Sequence, residues 1–310
     1  MTGELAALRA AFLWAVASII FADIGLHIRA INLNLIKGLI ACSFMIVILF
    51  LGSLLGAAEL RLGSLFSISS KEFLLLVASG AIGIGIGDTA YFACLKRIGP
   101  QKGLMLESVA PVIAALLAIL LFHEYLPRYA WYGILLTTLG VILVVRSSHS
   151  QMQYSNSIAG ITFGLVAASA QAAGVVLSRM VLAGGEVDPL ASSFLRLAAG
   201  LLILALWVQV RKGFSRNGSS HQPLRQAMTI IARHHLAGKM FIAMFIGTFC
   251  AIWLQQISLR YTSAGITQTL LAACPLFGML IGVYQGQKQP VAVWAGLLLG
   301  LTGISLLFLG

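Results

Sequence analysis

Long uninterrupted apolar stretches dominate the sequence of 310 residues, and polar and turn-forming residues are concentrated in short segments between them. Each stretch holds about twenty residues, which is the length that a helix rising about 1.5 Å per residue needs to cross the hydrocarbon layer. The pattern therefore predicts ten membrane-spanning helices, which we place over 6–26, 32–54, 72–94, 102–122, 129–146, 158–180, 189–210, 240–260, 264–284 and 290–309.

Two connections between the predicted spans are longer than the others. Residues 52–71 contain glycine and serine, whereas residues 211–239 are basic and include the histidine pair His234/His235. Within the basic connection, residues 228–232 are apolar enough to lie at the membrane interface. Both connections are otherwise interpreted as solvated loops.

An internal repeat is visible when the third to fifth predicted spans are aligned with the eighth to tenth. Glycines and prolines recur at matching positions in both copies, as does a basic residue at a span end. The pairs are Gly83/Gly247, Leu95/Leu259, Lys96/Arg260, Pro111/Pro275 and, after a slip of one residue, Pro127/Pro290, Gly133/Gly296 and Gly140/Gly303. We therefore divide the chain into two repeats, 1–150 and 151–310, with five spans in each.

An odd number of spans in each repeat has a topological consequence. The second repeat must enter the membrane from the opposite side to the first. The sequence thus predicts an all-α integral membrane fold of two inverted five-helix repeats around a central cavity. Such repeats can exchange conformations, which supplies two states with access from opposite faces.

Composition supports lipid as the solvent of this chain. Hydrophobic residues make up 59% and charged residues only 9%, against roughly a quarter charged in soluble domains. The formal net charge of +11 arises mainly from lysines and arginines at span ends, where they set topology and contact anionic headgroups, so we expect no nucleic-acid partner. The four cysteines lie in apolar stretches without a CxxC spacing, which argues against disulfides and metal ligands.

Residues 111–140 carry a recognisable pattern. They combine a proline in an apolar span, an acidic helix exit over 122–126 centred on Glu124, and two glycines in the following span. In these features the sequence resembles the EamA-like permeases of the drug/metabolite transporter superfamily. The second repeat keeps the prolines and glycines but has Gln287 where the acidic residue is expected.

The resemblance implies ten helices around a central cavity, both termini in the cytoplasm, and export or exchange of small metabolites such as amino acids or drug-like solutes. It places the chain in the inner (plasma) membrane of a bacterium or archaeon. The basic residues favour the reverse orientation, since thirteen of the twenty lie at connections after odd-numbered spans, and the positive-inside rule would put that face in the cytoplasm. This excess comes from the single connection 211–239, so we follow the resemblance.

Two acids inside predicted spans are the strongest candidates for a functional site. Asp88 lies in the third span with Tyr91 one turn later on the same face, and Glu107 lies in the fourth span one turn before Pro111. An ionisable side chain in hydrocarbon is costly unless it faces a cavity or a partner, so both acids are candidate proton carriers. The alternative interpretations are a position at headgroup level or a structural ion pair with a basic residue. The candidate partners are Lys102, Arg179 and Arg196.

Uncharged polar and aromatic residues complete the predicted cavity. Glutamines offer donors and acceptors for zwitterionic or polar solutes, and tryptophans can stack on a substrate, although both also serve as interhelical contacts or interfacial anchors. Lys37 and Arg196, at comparable places in the second and seventh spans, could bind an anionic group, but near a helix start they more often snorkel or pair with an acid. The predicted cavity residues are Trp14, Asp88, Tyr91, Glu107, Gln171, Trp253, Gln256 and Gln268.

These features favour a secondary transporter that works by alternating access. The chain has no GxxxxGK[ST] nucleotide loop, and Pro111 and Pro275 are candidate flex points. Asp88 and Glu107 would couple transport to protons. The alternatives are an integral-membrane enzyme, a lipid-handling protein without solute flux and a membrane scaffold. We expect a small-molecule substrate, the bilayer and protons as partners, no catalytic residue, cofactor or metal, and a design compatible with a monomer.

Overall fold

The computed structural model describes residues 1–25, 27–28, 30–56, 62–65, 67–147, 157–214, 224–233 and 236–308. Every regular element within these ranges is helical. The α-helices are α1 (Thr2–Gly25), α2 (Ala30–Leu54), α3 (Ser70–Gly80), α4 (Asp88–Glu107), α5 (Ala110–Phe122), α6 (Arg128–Ser147), α7 (Ile158–Leu182), α8 (Pro189–Phe214), α9 (Leu224–Arg233), α10 (Ala237–Met244), α11 (Ala251–Tyr261), α12 (Ala264–Ala272), α13 (Cys274–Tyr284) and α14 (Val291–Leu307). A short 3₁₀ helix, Leu62–Leu65, lies before α3.

Nine helical stretches in the described part of the chain are long and apolar enough to cross a bilayer. They are Thr2–Phe21, Ile31–Leu54, Ser70–Gly99, Lys102–Phe122, Arg128–Ser147, Ile158–Leu182, Pro189–Val210, Ala237–Tyr261 and Ala264–Tyr284. These correspond to the first nine predicted spans, and the tenth, predicted over 290–309, is the apolar helix α14 of 17 residues. The prediction of an all-α integral membrane protein is thereby confirmed.

The fourth and ninth spans are each built from two helical pieces. The chain turns within α4 at Gly99, where the backbone is not helical (φ 83°), so only the part of α4 after this turn belongs to the fourth span. That part ends at Glu107 and α5 begins at Ala110, while α12 and α13 meet at Ala273. Pro111 and Pro275 lie in the first turn of the second piece, where the missing proline N–H has no intrahelical partner to lose. The two prolines therefore mark helix breaks at matching repeat positions, rather than sitting in the middle of a continuous helix.

The third and eighth spans are interrupted by π-helical turns. Ala81–Gly87 joins α3 to α4, and Phe245–Cys250 joins α10 to α11 at the matching position of the second repeat. Such wide turns are rare and recur at functional sites. Because a π turn holds more residues than an α turn, it rotates the side chains that follow it, beginning with Asp88 in the first repeat.

The two repeats interlock through pairs of helices drawn one from each. α6 packs along α14, α5 on α12, α2 on α8, α4 on α7 and α1 on α11. The crossing of α6 and α14 is especially close, because a Cβ atom added to Gly140 would lie 2.4 Å from the backbone nitrogen of Gly300, and one added to Gly303 would lie 2.5 Å from that of Thr137. Small residues let spanning helices approach in this way, so these glycines allow α6 and α14 to pack closely against each other.

The amphipathic helix α9 lies in the basic connection, where the sequence predicts an interfacial stretch. Ala227 and Ile231 on its apolar side pack into a cluster with isoleucine and methionine side chains of α1, α2 and α10, whereas Arg233 is exposed. The helix therefore covers the ends of three spanning helices. The pair His234/His235 lies outside the described residues.

Candidate functional site

A cavity of about 2530 Å³ lies between the two repeats, well above the roughly 300–1,000 Å³ of ordinary small-molecule pockets. Its wall combines apolar side chains with acids, amides and basic residues from α1, α2, α4, α7, α8 and α11 to α13. The lining continues to Ile31, Arg97 and Gln209, which lie at the start of the second span and near the ends of the third and seventh. We call this end of the bundle the open face.

Asp88 lies in the cavity wall directly after the first π segment. Its Oδ1 accepts a hydrogen bond from Gln171 Nε2 (3.3 Å), and its Oδ2 accepts one from Asn34 Nδ2 (3.4 Å). Lys37 interacts favourably with the carboxylate at longer range, without a direct ion pair in the described structure. Neutral amides of the second and sixth spans thus hold Asp88, and its charge is not neutralised by direct contact.

Glu107, at the C-terminal end of α4, lines the same cavity. Its Oε1 is buried and has no hydrogen-bond partner among the described residues. Asp88 and Tyr91 line the same cavity as Glu107. The structure therefore brings together the two acids and the phenol, and we call Asp88, Tyr91 and Glu107 the acid cluster.

Two of the basic residues considered as structural partners of these acids do not pair with them. Arg179 forms its ion pair with Glu124 instead (2.9 Å). Arg196 lines the cavity, yet no carboxylate in the described part of the chain forms an ion pair with it. Neither acid of the cluster is therefore explained by a salt bridge to these arginines.

The remaining predicted cavity residues fall into two groups. Trp14, Gln171 and Gln268 lie in the cavity wall. Trp253 lies outside the lining, with its ring 5.8 Å from that of Phe249 in a cluster that includes side chains of α2. The placement of Trp253 in the cavity is therefore corrected: α11 turns the neighbouring Ile252 toward the cavity instead.

Gln256 also lies outside the cavity lining. It is fully buried, and its Oε1 accepts hydrogen bonds from the hydroxyls of Ser178 and Ser192 (both 2.9 Å). Adjacent residues on an α-helix point about 100° apart, and it is Gln255 that faces the cavity. The prediction for Gln256 is corrected to an interhelical contact that joins the sixth, seventh and eighth spans.

Asn34 is a cavity residue that sequence reasoning missed. It lies inside the predicted second span, 32–54, and one turn after the start of α2 at Ala30, where a polar side chain is common at the membrane surface. One signal could have found it, because Asn34 lies one turn before Lys37 and residues three apart share a helix face. The amide and the ammonium together face Asp88.

The end of the bundle opposite the open face is joined by polar contacts. Glu124, in the acidic helix exit, forms an ion pair with Arg179 (2.9 Å) and accepts a hydrogen bond from the backbone nitrogen of Ala264 (3.0 Å). Arg179 also donates to the carbonyl oxygens of Leu259 (2.7 Å) and Arg260 (3.1 Å). These contacts, which we call the Glu124–Arg179 latch, tie the fourth span to the sixth and to the connection between the eighth and ninth.

Two further contacts lie at the same end. Arg260 donates a hydrogen bond to the carbonyl oxygen of Gly185, and the hydroxyl of Thr262 donates to Glu4 Oε1 (3.0 Å), which places the N-terminus here. In the described structure the cavity lining includes none of these residues. We call this end the sealed face.

Comparisons with known proteins agree with this architecture. No curated protein matches the sequence, while 29 chains among solved structures do. One of them, described only as the crystal structure of a protein, has a TM-score of 0.73 at 16% sequence identity, over 99% of this chain and 96% of that chain, and this likeness shows the fold alone. The model of the EamA-like transporter family matches residues 1–146 and 158–309. Since these segments cover nearly the whole chain, the protein belongs to the EamA-like transporter family.

Proposed function

We propose that this member of the family is a secondary transporter that exports small metabolites, such as amino acids or drug-like solutes, across the inner membrane by alternating access. The observation that carries the proposal is a large cavity between the repeats whose lining reaches the open face and stops short of the sealed face. The sequence has no nucleotide-binding loop of the GxxxxGK[ST] type. We therefore assign the free energy for uphill export to an ion gradient.

The second access state would form by an exchange between the repeats. In an inverted arrangement each repeat can adopt the conformation of the other, which would open the sealed face and close the open face. The matched helix breaks at Pro111 and Pro275 and the matched π segments support this movement, because helices bend where their hydrogen-bond ladder is interrupted. With both termini in the cytoplasm, the state described here would be open to the outside.

The acid cluster would couple export to protons. Among the described residues, the hydrogen bonds to Asp88 come from the amides of Asn34 and Gln171, and Glu107 keeps a buried oxygen without a partner. A carboxylate in a membrane interior is costly unless it binds a proton or a cation. A proton and a cationic solute group would therefore compete for the same acids, so that binding of one favours release of the other.

Counterflow in proteoliposomes tests this proposal. Labelled amino acids, purines, sugars and cationic drugs would be offered to vesicles preloaded with the same unlabelled solute, with and without an imposed pH gradient. We expect at least one solute to exchange and to accumulate faster under the pH gradient. We expect the double variant D88N/E107Q to lose this acceleration.

The two parts of the proposal fail separately. Undiminished pH-driven accumulation in D88N/E107Q would refute proton coupling through these acids while leaving transport intact. Absence of exchange for every solute in the panel would refute transport of these classes. Empty vesicles and vesicles with denatured protein are the controls for leakage.

A further inference from the structure

Arg196 is a charged feature of the cavity that the acid cluster does not explain. Only 2% of the residue is exposed, it belongs to the cavity wall, and its Nε has no hydrogen-bond partner among the described residues. A buried charge without a partner is strongly destabilising. Buried arginines are therefore normally paired with carboxylates, yet the described structure supplies no ion pair here.

Close helix packing holds Arg196 at this depth. A Cβ atom added to Gly80 would lie 2.0 Å from the carbonyl oxygen of Arg196, so α8 crosses α3 directly at this residue. Arg196 lies about 10 Å along α8 from its start at Pro189. Its low exposure argues against the snorkelling interpretation, because a snorkelling guanidinium extends into water.

The guanidinium lies beside the crossing of α7 with the first π segment. Its Nη2 is 3.7 Å from the position that a Cβ atom of Gly83 would take. Gly174 faces Gly83 across the crossing, where an added Cβ atom would lie 2.9 Å from the Cα atom of Gly83. Both positions are glycine, so neither contributes a side chain that could cover or neutralise the guanidinium.

Lys37, at the comparable place in the second span, differs from Arg196 in its surroundings. The Lys37 ammonium interacts favourably with Asp88, so its counter-charge comes from the protein itself. Arg196 has no such counter-charge in the described part of the chain. Because Arg196 lines a cavity that reaches the open face, a solute can supply the missing negative charge.

We infer that Arg196 binds an oxyanion group of the transported solute, either a carboxylate or a phosphate ester. The inference rests on the proposed transport function and narrows its substrate class to solutes that carry such a group. The planar guanidinium offers paired N–H donors that match two oxygens of a carboxylate or a phosphate. The solute would satisfy the guanidinium, which leaves the acid cluster in the same cavity available to protons.

Ligand binding to the purified chain in detergent tests this inference without any transport step. The probes are succinate and glycerol 3-phosphate, and the matched neutral compounds are succinamide and glycerol. Binding is followed by the melting temperature and by tryptophan fluorescence, since Trp14 and Trp207 line the cavity. We expect at least one oxyanion to raise the melting temperature and its neutral analogue to have no effect. Whether succinate or glycerol 3-phosphate gives this effect shows whether the site prefers a carboxylate or a phosphate ester.

Two substitutions assign the binding to Arg196. Arg196→Gln removes the charge, and Arg196→Lys keeps the charge but lacks the planar pair of donors. We expect the first to weaken oxyanion binding by roughly 10- to 100-fold and the second by less. Arg128→Gln is the matched control, because it removes the same charge from an exposed residue outside the cavity lining and should change the affinity by no more than about twofold.

Equal stabilisation by the oxyanions and their neutral analogues would overturn the inference, and so would equal oxyanion affinity in the wild type and in Arg196→Lys and Arg196→Gln. Gel filtration identifies a variant that fails to fold. If Arg196→Gln does not fold, the inference is decided by the preference of the wild type for oxyanions over their neutral analogues and by the oxyanion affinity of Arg196→Lys. The measurement uses no vesicle or gradient. Oxyanion binding without counterflow would therefore refute the proposed transport and keep the binding site.

Discussion

The two repeats agree in backbone structure but differ in chemistry. Asp88 and Glu107 of the first repeat correspond to Ile252 and Leu271 of the second, and all four residues line the cavity. The helix breaks and the π segments, in contrast, occur in both repeats at matching positions. A conformational change can therefore be shared by the repeats while the acidic residues of the cavity belong to one of them.

The same division recurs at the helix exits. Glu124 reaches across the repeat boundary to Arg179, whereas Gln287 turns back on its own repeat, with its side-chain oxygen 2.7 Å from the position that a Cβ atom of Gly282 would take. A charged exit forms the latch at the sealed face, and its neutral counterpart forms no such contact in the described residues. The chemistry that distinguishes the repeats thus also distinguishes the two ends of the cavity.

The largest expected effect comes from moving an acid between the repeats. D88N should abolish pH-driven solute accumulation in proteoliposomes, and the double variant D88N/I252D should not restore it. An aspartate at position 252 would lie in the same cavity, but the amides of Asn34 and Gln171, which hold Asp88, would not accompany it. I252N alone is the control and should retain the pH-driven accumulation. Recovery in D88N/I252D would mean that any acid in this cavity suffices.

The shared backbone structure predicts equal effects of equivalent glycine substitutions. Valine at Gly140 or at Gly303 would press methyl groups against the backbone of the facing helix, and each should lower the free energy of unfolding by roughly 3 kcal/mol. Alanine at Gly278, where an added Cβ atom meets nothing within 4 Å, is the matched control. Denaturation in detergent measures all three. A large difference between the two valine variants would contradict equivalent packing in the two repeats.

The latch should respond to a change of charge without a change of shape. Glu124→Gln replaces a charge-assisted contact to Arg179, a class worth roughly 1.5–3 kcal/mol, and should shift the conformational equilibrium about tenfold or more toward a state open at the sealed face. The rate at which an impermeant maleimide labels Thr262→Cys, in a chain without its native cysteines, reports this opening. Gln287→Ala in the same background should leave the rate unchanged. Equal rates in Glu124→Gln and the parent would show that the contact does not hold the sealed face.

The fold was predictable from the apolar pattern because lipid offers no hydrogen-bond partners to the backbone. A chain segment in hydrocarbon must satisfy its own hydrogen bonds, so length and hydropathy alone locate the spanning helices. The grouping of Asp88 with Glu107 was predictable in part for a related reason, since ionisable residues are rare in spans and turn inward. The helix break at Pro111 was not, because a proline inside an apolar run is compatible with either a kink or a new helix start.

Side-chain direction after the second π segment was the less predictable part of the site. A projection at 3.6 residues per turn assumes an unbroken α-helix, but Phe245–Cys250 changes the register before Gln255 and Gln256. The same limit explains the error at Trp253. The absence of an ion-pair partner for Arg196 in the described part of the chain was equally unpredictable, because ion pairs between distant spans depend on packing that no local pattern records.

The smallest expected effects separate the two adjacent glutamines. Gln256→Leu would leave the buried hydroxyls of Ser178 and Ser192 without their shared acceptor, so we expect it to lower the free energy of unfolding by roughly 1 kcal/mol without changing the solute affinity. Gln255→Leu alters only the cavity wall, so it should change the half-saturating solute concentration in counterflow a few-fold with little loss of stability. Melting temperatures and counterflow measured on both variants test this assignment. A loss of stability in Gln255→Leu together with a change of solute affinity in Gln256→Leu would place Gln256 in the cavity and contradict the helical register that follows the π segment.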